Sequence, residues 1–546
     1  MVSFFLRAAT ERGTAPILLG LPAETSQSLG GGNGALAHDA GLGAGQVDHG
    51  RGGTRQLAAV HHGGARLSKL GGNVFDAARV RPVVAVGARR SHRADLRDDG
   101  RGGAREHGYA HADRPAAARK KKETVEDLRH ARLADVDPEI AGLIGDELER
   151  QRGQIELIAS ENFTWPSVLE AVSSVPTNKY AEGYPGRRYY GGCEVVDEIE
   201  QTAIDRAKEL FGAEHANVQP HAGAQTNMAV YMAALDPGDT ILSLELSHGG
   251  HLTHGLKVNF SGRLYTIVHY GVSRETNMVD YDEVLALAKQ HRPKLIVCGG
   301  SAYPRTVETD RFREIADEVG ALLLCDMAHF AGLVAAGEHP NPVAHCDFVT
   351  STTHKTLAGP RAGFVLCREE YAQAVDRAVF PGMQGGPLVH TIAAKATCFR
   401  IAGTEAFRQY QRQIRANADT LAETLQEGGL DVLTGGTDTH LLQVDLRSTD
   451  WTGKDAEERL AGAKITVNRN TVPFDERKPT IASGIRIGTP AATMRGFDED
   501  DFREVGRIIC EALGDGADVH ALAARSEALC EKRPLYPGFR GFTHYA

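Results

Sequence analysis

Between Asp239 and Arg368, short apolar runs alternate with an amphipathic stretch: DTILSLEL, PKLIVCGG, RFREIADEVG, ALLLCDMAH, CDFVTSTT and AGFVLCR. The apolar runs have strand length, whereas RFREIADEVG has helical spacing and ends on a glycine. Strand, helix, strand at this spacing predicts an α/β domain with a mostly parallel sheet. Upstream, DPEIAGLIGDELERQRGQIELIAS has helical spacing and opens at an Asp-Pro start signal. Beyond about residue 405, THLLQVDLR, KITVNRN, SGIRIGTP and DEDDFREVGRIICEALG predict a smaller C-terminal α/β domain. The helix around TEAFRQYQRQIRANADTLAETLQEGG links it to the first.

Residues 1–122 have a different texture, rich in Gly, Ala, Arg and His and poor in aromatics, with no sustained period. Ordering them buries too little apolar surface to offset the entropy lost, so a disordered leader or a mis-assigned start is expected there. An RNA-binding arm or a transit segment are the functional alternatives. The expected division is therefore 1–122, an arm with the large domain over 123–404, and the linking helix with the small domain over 405–546.

The net charge is −10, although Lys and Arg outnumber Asp and Glu by about two to one before residue 123. The remainder is clearly acidic, which argues against nucleic-acid binding. No apolar run has membrane-spanning length. The eight cysteines are scattered without a CxxC pair and several lie in apolar runs. Reduced core thiols in a cytoplasmic enzyme are expected, and no metal site.

In parallel α/β folds, ligands gather at the carboxyl ends of strands. Asp326 ends one predicted strand, and Lys355 follows another in TSTTHKTLAGPR, with Thr352 and Arg361 close by. Burial and a neighbouring guanidinium both lower an amine's pKa and make it nucleophilic towards carbonyl groups. A lysine and a carboxylate so placed suit pyridoxal phosphate, the amine on its aldehyde and the acid on its ring nitrogen. Taken alone, a polar turn and a helix N-cap account for the same residues.

Longer motifs decide between these readings. IELIASEN, NKYAEGYPGRRYYGGCE, NVQPHAGAQTN, SHGGHLTHG, CDMAHFAGLVAAG, TTHKTLAGPR, FPGMQGGP, NRNTVPFD and SGIRIGTPA follow one another in order. In these the chain resembles serine hydroxymethyltransferase over about residues 133–537. The resemblance implies a fold-type I pyridoxal-phosphate transferase that interconverts serine and tetrahydrofolate with glycine and 5,10-methylenetetrahydrofolate. It also implies a homodimer, with a tetramer as the further possibility, whose sites are shared between subunits.

Position by position, Lys355 resembles the Schiff-base lysine and Asp326 the partner of the pyridinium nitrogen. His251 resembles the residue that stacks on the ring, and His329 and Ser301 those near the ring oxygen and substrate. Gly223 and Ala224 correspond to the phosphate cradle, with Tyr180, Gln384, Gly385 and Gly386 contributed by the neighbouring subunit. Arg486 and Ser160 resemble the substrate-carboxylate clamp, Glu182 the acid–base carboxylate, and Tyr190 completes the site. Thr352 and Arg361 are expected to line the lysine, one by hydrogen bonding and one by charge. Leu246, Gly250, Leu252 and Asn470 resemble folate contacts.

The chain departs from the family at three positions. Ala222-Gly223-Ala224 replaces a cradle that commonly begins with serine, Ala362 replaces a common glycine, and Phe474 stands where a polar residue is frequent. Two alternatives stay open at this level: a related enzyme acting on other β-hydroxy or α-methyl amino acids, and a non-catalytic RNA-binding homologue.

Overall fold

The computed structural model describes residues 124–538; the expected leader over residues 1–122 lies outside them. The segment after Thr124 is helical, and its longest helix, Pro138–Gly153, starts where the Asp-Pro signal predicts. Asp137 caps it by accepting the Ile140 N–H at 3.0 Å, and Pro138 occupies the first turn.

Seven strands form the main sheet: β1 (His215–Asn217), β2 (Thr240–Leu244), β3 (Thr266–Tyr270), β4 (Leu295–Gly299), β5 (Leu322–Asp326), β6 (Phe348–Thr352) and β7 (Gly363–Cys367). Their order is β1-β7-β6-β5-β4-β2-β3, parallel throughout except that β7 runs antiparallel to both its neighbours. The strands read as unbroken apolar runs because both faces of the sheet are covered. Leu242, Ile296 and Leu323 belong to the core on one face, whereas Ile241, Leu295 and Leu324, one residue out of phase, belong to the core on the other.

A second core surrounds a four-stranded antiparallel sheet, β8 (Asp431–Val432), β9 (Leu441–Asp445), β10 (Asn468–Asn470) and β11 (Gly484–Gly488), in the order β8-β9-β11-β10. The helix Glu405–Glu427 bridges the two cores: Phe407 and Ile414 pack into the first, Leu421 and Leu425 into the second. On β11, Ile485 and Ile487 face the second core, so period-two alternation turns Arg486 to the opposite side.

Candidate active site

The carboxyl ends of β1, β2, β4, β5 and β6 share one edge of the main sheet, and most of the expected site residues lie there. Asp326 is the last residue of β5 and pairs in register with Thr350 of β6. Its carboxylate accepts from Asn227 Nδ2 at 2.8 Å and the Ala328 N–H at 3.1 Å, with His254 Nε2 at 3.3 Å. Burial alone raises a carboxyl pKa, but the His254 hydrogen bond and nearby positive charge, that of Lys355 included, hold this one well below the usual carboxylate range. The buried Asp326 carboxyl therefore favours its anionic form.

Lys355 is buried in the turn after β6, its carbonyl fixed by Asn162 Nδ2 at 2.9 Å. Burial lowers its pKa to about 8; Asp326 opposes this, and the charges of Arg486 and Arg361 add to it. A large neutral fraction at neutral-to-alkaline pH is what an amine nucleophile requires. Arg361 itself is exposed and acts on Lys355 through charge. The Thr352 hydroxyl donates to Ala328 O at 3.3 Å and keeps its capacity to accept. As the last residue of β6 it braces the β5 end, and Lys355 lies three residues further along the turn.

Three imidazoles here, those of His251, His329 and His440, favour the neutral form. Burial draws His251 down to about 4 and His440 to about 3, and holds His329 well below the normal histidine range. Asn227 Nδ2 donates to Thr253 Oγ1 at 2.7 Å, and Thr253 Oγ1 lies 2.7 Å from His251 Nδ1. The Thr253 N–H also donates to Nδ1, which leaves the ring proton on Nε2. The rings of His329 and His440 stack with centroids 5.6 Å apart. His251, His254 and Asp326 are the one grouping of metal-ligand proximity among the described residues, their atoms within 4.8 Å of one another. The Asp326 oxygens in this group are engaged by Asn227, His254 and the Ala328 amide.

The helix Gly223–Ala234 begins beside this group. Its N-cap, Ala222, is extended and has no side-chain cap, so the leading N–H groups and the positive end of the helix dipole are left for an anion. The helix start and the β6 end are nearly in contact: a Cβ on Gly223 would meet Thr352 Cγ2 at 2.6 Å. Glycine is thus required there for packing. An uncapped anion cradle, a buried lysine of lowered pKa and a buried anionic carboxylate are the three features pyridoxal phosphate needs, and the residues present fit it.

Arg486 closes the group from the second sheet. Its Nη1 donates to Ser301 O at 2.7 Å and its Nε to Asn468 Oδ1 at 3.2 Å, with Nη2 3.4 Å from Ser160 Oγ. Among the described residues no carboxylate pairs with it, and burial lowers its pKa to about 10. A half-buried guanidinium without a carboxylate partner, its Nη2 held only by a long bond to Ser160, suits a substrate carboxylate.

The remaining expected residues form two further sets. Tyr180 donates to Glu182 Oε1 at 3.2 Å and meets Tyr190 edge-on, with ring centroids 5.0 Å apart. Gly385 and Gly386 lie against Glu182 and the Tyr180 ring. Gln384 is buried, accepting the His221 N–H at 3.2 Å and donating to Gln219 O at 3.0 Å. No hydrogen bond or ion pair described joins Tyr180 or Glu182 to Lys355. The third set is the loop after β2. Leu246 starts a 3-10 turn, Gly250 follows it, and Leu252 is half exposed. Gly249 O, in the same loop, accepts the Ser301 N–H at 2.7 Å. Asn470 donates to Gln443 Oε1 at 3.0 Å, and Gln443 in turn donates to Ala302 O. Phe474, one of the departures, packs against the His248 ring at 4.6 Å and beneath the Arg274 guanidinium at 3.9 Å.

Sequence reasoning missed five contributors: Asn227, His254, His440, Arg188 and Lys395. Arg188 Nη1 donates to Ala181 O and Gly183 O, both at 2.9 Å, and so grips the backbone on either side of Glu182. Asp197 and Glu200, each at 2.7 Å, fix Arg188 in turn. The signals for His254 and Asn227 were present: the second is one helical turn beyond Gly223, and the first is three residues after His251.

The family model described as serine hydroxymethyltransferase matches residues 133–509. That stretch contains the cradle, Asp326, Lys355, Glu182 and Arg486 together, and the chain belongs to the serine hydroxymethyltransferase family.

Proposed function

We propose that this chain transfers the hydroxymethyl carbon of serine to tetrahydrofolate, with Lys355, Asp326, Arg486 and Glu182 as the residues that carry the reaction. The family uses pyridoxal phosphate, which when bound supplies an electrophilic carbon for amines and a ring that takes up electron density. The convergence of a buried lysine and a buried aspartate at one edge of the main sheet with a half-buried arginine from the second sheet, which has no carboxylate partner among the described residues, is the observation that carries the assignment.

Each residue acts in a distinct way. The Lys355 amine would hold the cofactor, and the anionic Asp326 would favour a proton on its ring nitrogen. His251, neutral and with its proton on Nε2, offers a flat face for stacking. His329 and Ser301 lie beside it, near the substrate. Arg486, with Ser160, holds the substrate carboxylate, which is unchanged in the reaction. Glu182, bonded to Tyr180, carries the proton that moves on the serine hydroxyl or the folate. Leu246, Gly250, Leu252 and Asn470 contact the folate.

The chain works as a homodimer in which Tyr180, Glu182, Gln384, Gly385 and Gly386 serve the partner's lysine. Support comes from Tyr180 and Glu182, which no hydrogen bond or ion pair among the described residues joins to Lys355 of their own chain. Further support comes from the apolar side of the arm, where Leu133, Val136, Ile140, Leu143 and Ile144 are each more than 40% exposed. The eight free thiols suit a cytoplasmic enzyme, and no helix among the described residues is long and apolar enough to cross a membrane. The segment before Thr124 is dispensable for this activity.

Hybrid dimers test the shared site. Lys355→Ala and Glu182→Gln chains are each inactive alone. Unfolded and refolded together, they form hybrids in which one site has an intact lysine from one chain and an intact glutamate from the other. Recovery of serine- and folate-dependent turnover is expected; mixtures as inactive as their parents contradict sharing.

A further inference from the structure

Lys395, on the helix Val389–Ala402, is 1% exposed, one of the largest fully buried side chains of the protein. No carboxylate lies within ion-pair distance of it among the described residues. Instead its Nζ donates to three carbonyls: Val218 O at 2.6 Å, Gly363 O at 2.7 Å and Pro220 O at 2.9 Å. Three acceptors at these distances match the three N–H groups of an ammonium, whereas a neutral amine has two. Burial acts the other way and pulls the pKa to about 7, with Glu200 opposing it.

The three carbonyls are informative. Val218 and Pro220 lie on the segment that leads from β1 to the cradle at Ala222, and Gly363 starts β7. The two are already in close contact: a Cβ on Gly363 would meet Ala222 O at 2.9 Å and Thr226 Cγ2 at 2.6 Å, and the Gly363 N–H donates to Pro220 O. His221, between Pro220 and Ala222, has a buried Nε2 with no partner among the described residues, and the Lys395 charge helps lower its pKa after burial itself. The Lys395 cation thus grips the backbone two residues before the N-cap of the cradle helix.

We infer that Lys395 is a positioning residue for the cofactor phosphate: it ties the cradle approach to β7 and places a buried positive charge behind the anion site. Neither the Schiff-base lysine nor the folate contacts touch it. It also explains why the cradle tolerates Ala222 in place of a hydroxyl, because part of the anion's stabilisation comes from beneath the backbone. The inference rests on the reading that the phosphate sits at Ala222–Ala224.

The test compares pyridoxal phosphate with pyridoxal, which lacks the phosphate, as ligands of the full-length apoprotein, with affinity read from fluorescence and visible absorbance. Lys395→Met preserves length and removes the charge. It should weaken pyridoxal phosphate at least tenfold and leave pyridoxal within twofold. Equal weakening of both ligands, or of neither, overturns the inference. Ala222→Asp, which puts a negative charge on the cradle, is measured alongside. It should abolish the preference for the phosphorylated ligand; if it does not, the cradle reading fails independently of Lys395. Should Lys395→Met not fold, Glu200→Gln replaces it. Removing the carboxylate that helps keep Lys395 protonated should then lower the preference for pyridoxal phosphate severalfold, and an unchanged preference overturns the inference.

Discussion

The side-chain amide of Asn227 donates to a carboxylate oxygen of Asp326 at 2.8 Å. Its other atom is equally occupied, since Asn227 Oδ1 accepts from Thr350 Oγ1 at 2.6 Å. One residue of the cradle helix thereby connects the ends of β5 and β6, and it also fixes Thr253 beneath the His251 ring. Asn227→Ala leaves the Thr350 hydroxyl and one carboxylate oxygen short of partners in a buried site. Urea unfolding should show a loss of about 1–3 kcal/mol, together with weaker cofactor binding. A variant as stable as the parent would mean that water or repacking restores these bonds.

Lys355 gives a pH-dependent prediction. Burial lowers its pKa from 10.5 to about 8, so the neutral amine gains population as pH rises and predominates above about 8. The rate at which apoprotein captures pyridoxal phosphate should climb up to that pH and then level off. A rise that continues tenfold per unit toward pH 10 is the behaviour of an unperturbed lysine and contradicts the assignment. Lys355→Ala should abolish turnover and the covalent fixation of cofactor by borohydride.

Arg486 and Glu182 should fail differently. Arg486→Ala removes a charge-assisted pair worth about 1.5–3 kcal/mol, so serine binding weakens by about ten- to a hundredfold. Glu182→Gln keeps the shape, so serine binding persists and folate-dependent turnover falls. Equal loss of serine affinity in both variants contradicts this division.

How much of this could be read from the sequence depended on how local each feature is. The strands were legible because covered sheets need unbroken apolar runs, and Asp326 and Lys355 were legible because each follows such a run. Their neighbours were harder to find. Asn227 sits 99 residues before Asp326 and meets it only because the sheet order brings the β1 helix beside β5 and β6. Lys395 looks like an ordinary cation within a helix, and only the fold reveals that carbonyls surround it. The bond from the Thr352 hydroxyl to Ala328 O is illegible for the same reason, since Ala328 follows a different strand end. Arg188 was quoted within a motif, yet its grip on Ala181 and Gly183 depends on the two-residue hairpin Gly183–Tyr184 with Arg187–Arg188.

Ala222 is extended, at φ −154 and ψ 161, the conformation in which a serine hydroxyl can cap a helix. Ala222→Ser adds a donor at the cradle, and cofactor affinity should rise by up to about tenfold. Turnover of saturated enzyme should stay unchanged. Dialysis against buffer, followed by fluorescence, measures the release; equal release from both proteins would show that the loop does not face the phosphate.

Glu156 makes stability depend on pH. Burial, and then the Glu161 charge, raise its pKa to about 7 from 4.5, against the Ile158 N–H bond and Arg150 at 3.7 Å. Between those values the folded state holds a proton that the unfolded state has lost, so this group makes stability fall as pH rises. Glu156→Gln should therefore be neutral below about pH 4.5 and stabilising by about 1–3 kcal/mol above pH 7. Urea unfolding at pH 4.5, 6 and 8 measures it, and a pH-independent difference contradicts the buried-carboxylate account.

The central claim is tested most directly by one measurement on the purified full-length chain loaded with pyridoxal phosphate: formation of 5,10-methylenetetrahydrofolate from serine. The expected result is one glycine per methylenetetrahydrofolate, strict dependence on tetrahydrofolate, and no product from Lys355→Ala. Serine cleavage at the same rate without tetrahydrofolate, or no turnover by fully loaded protein, would contradict it.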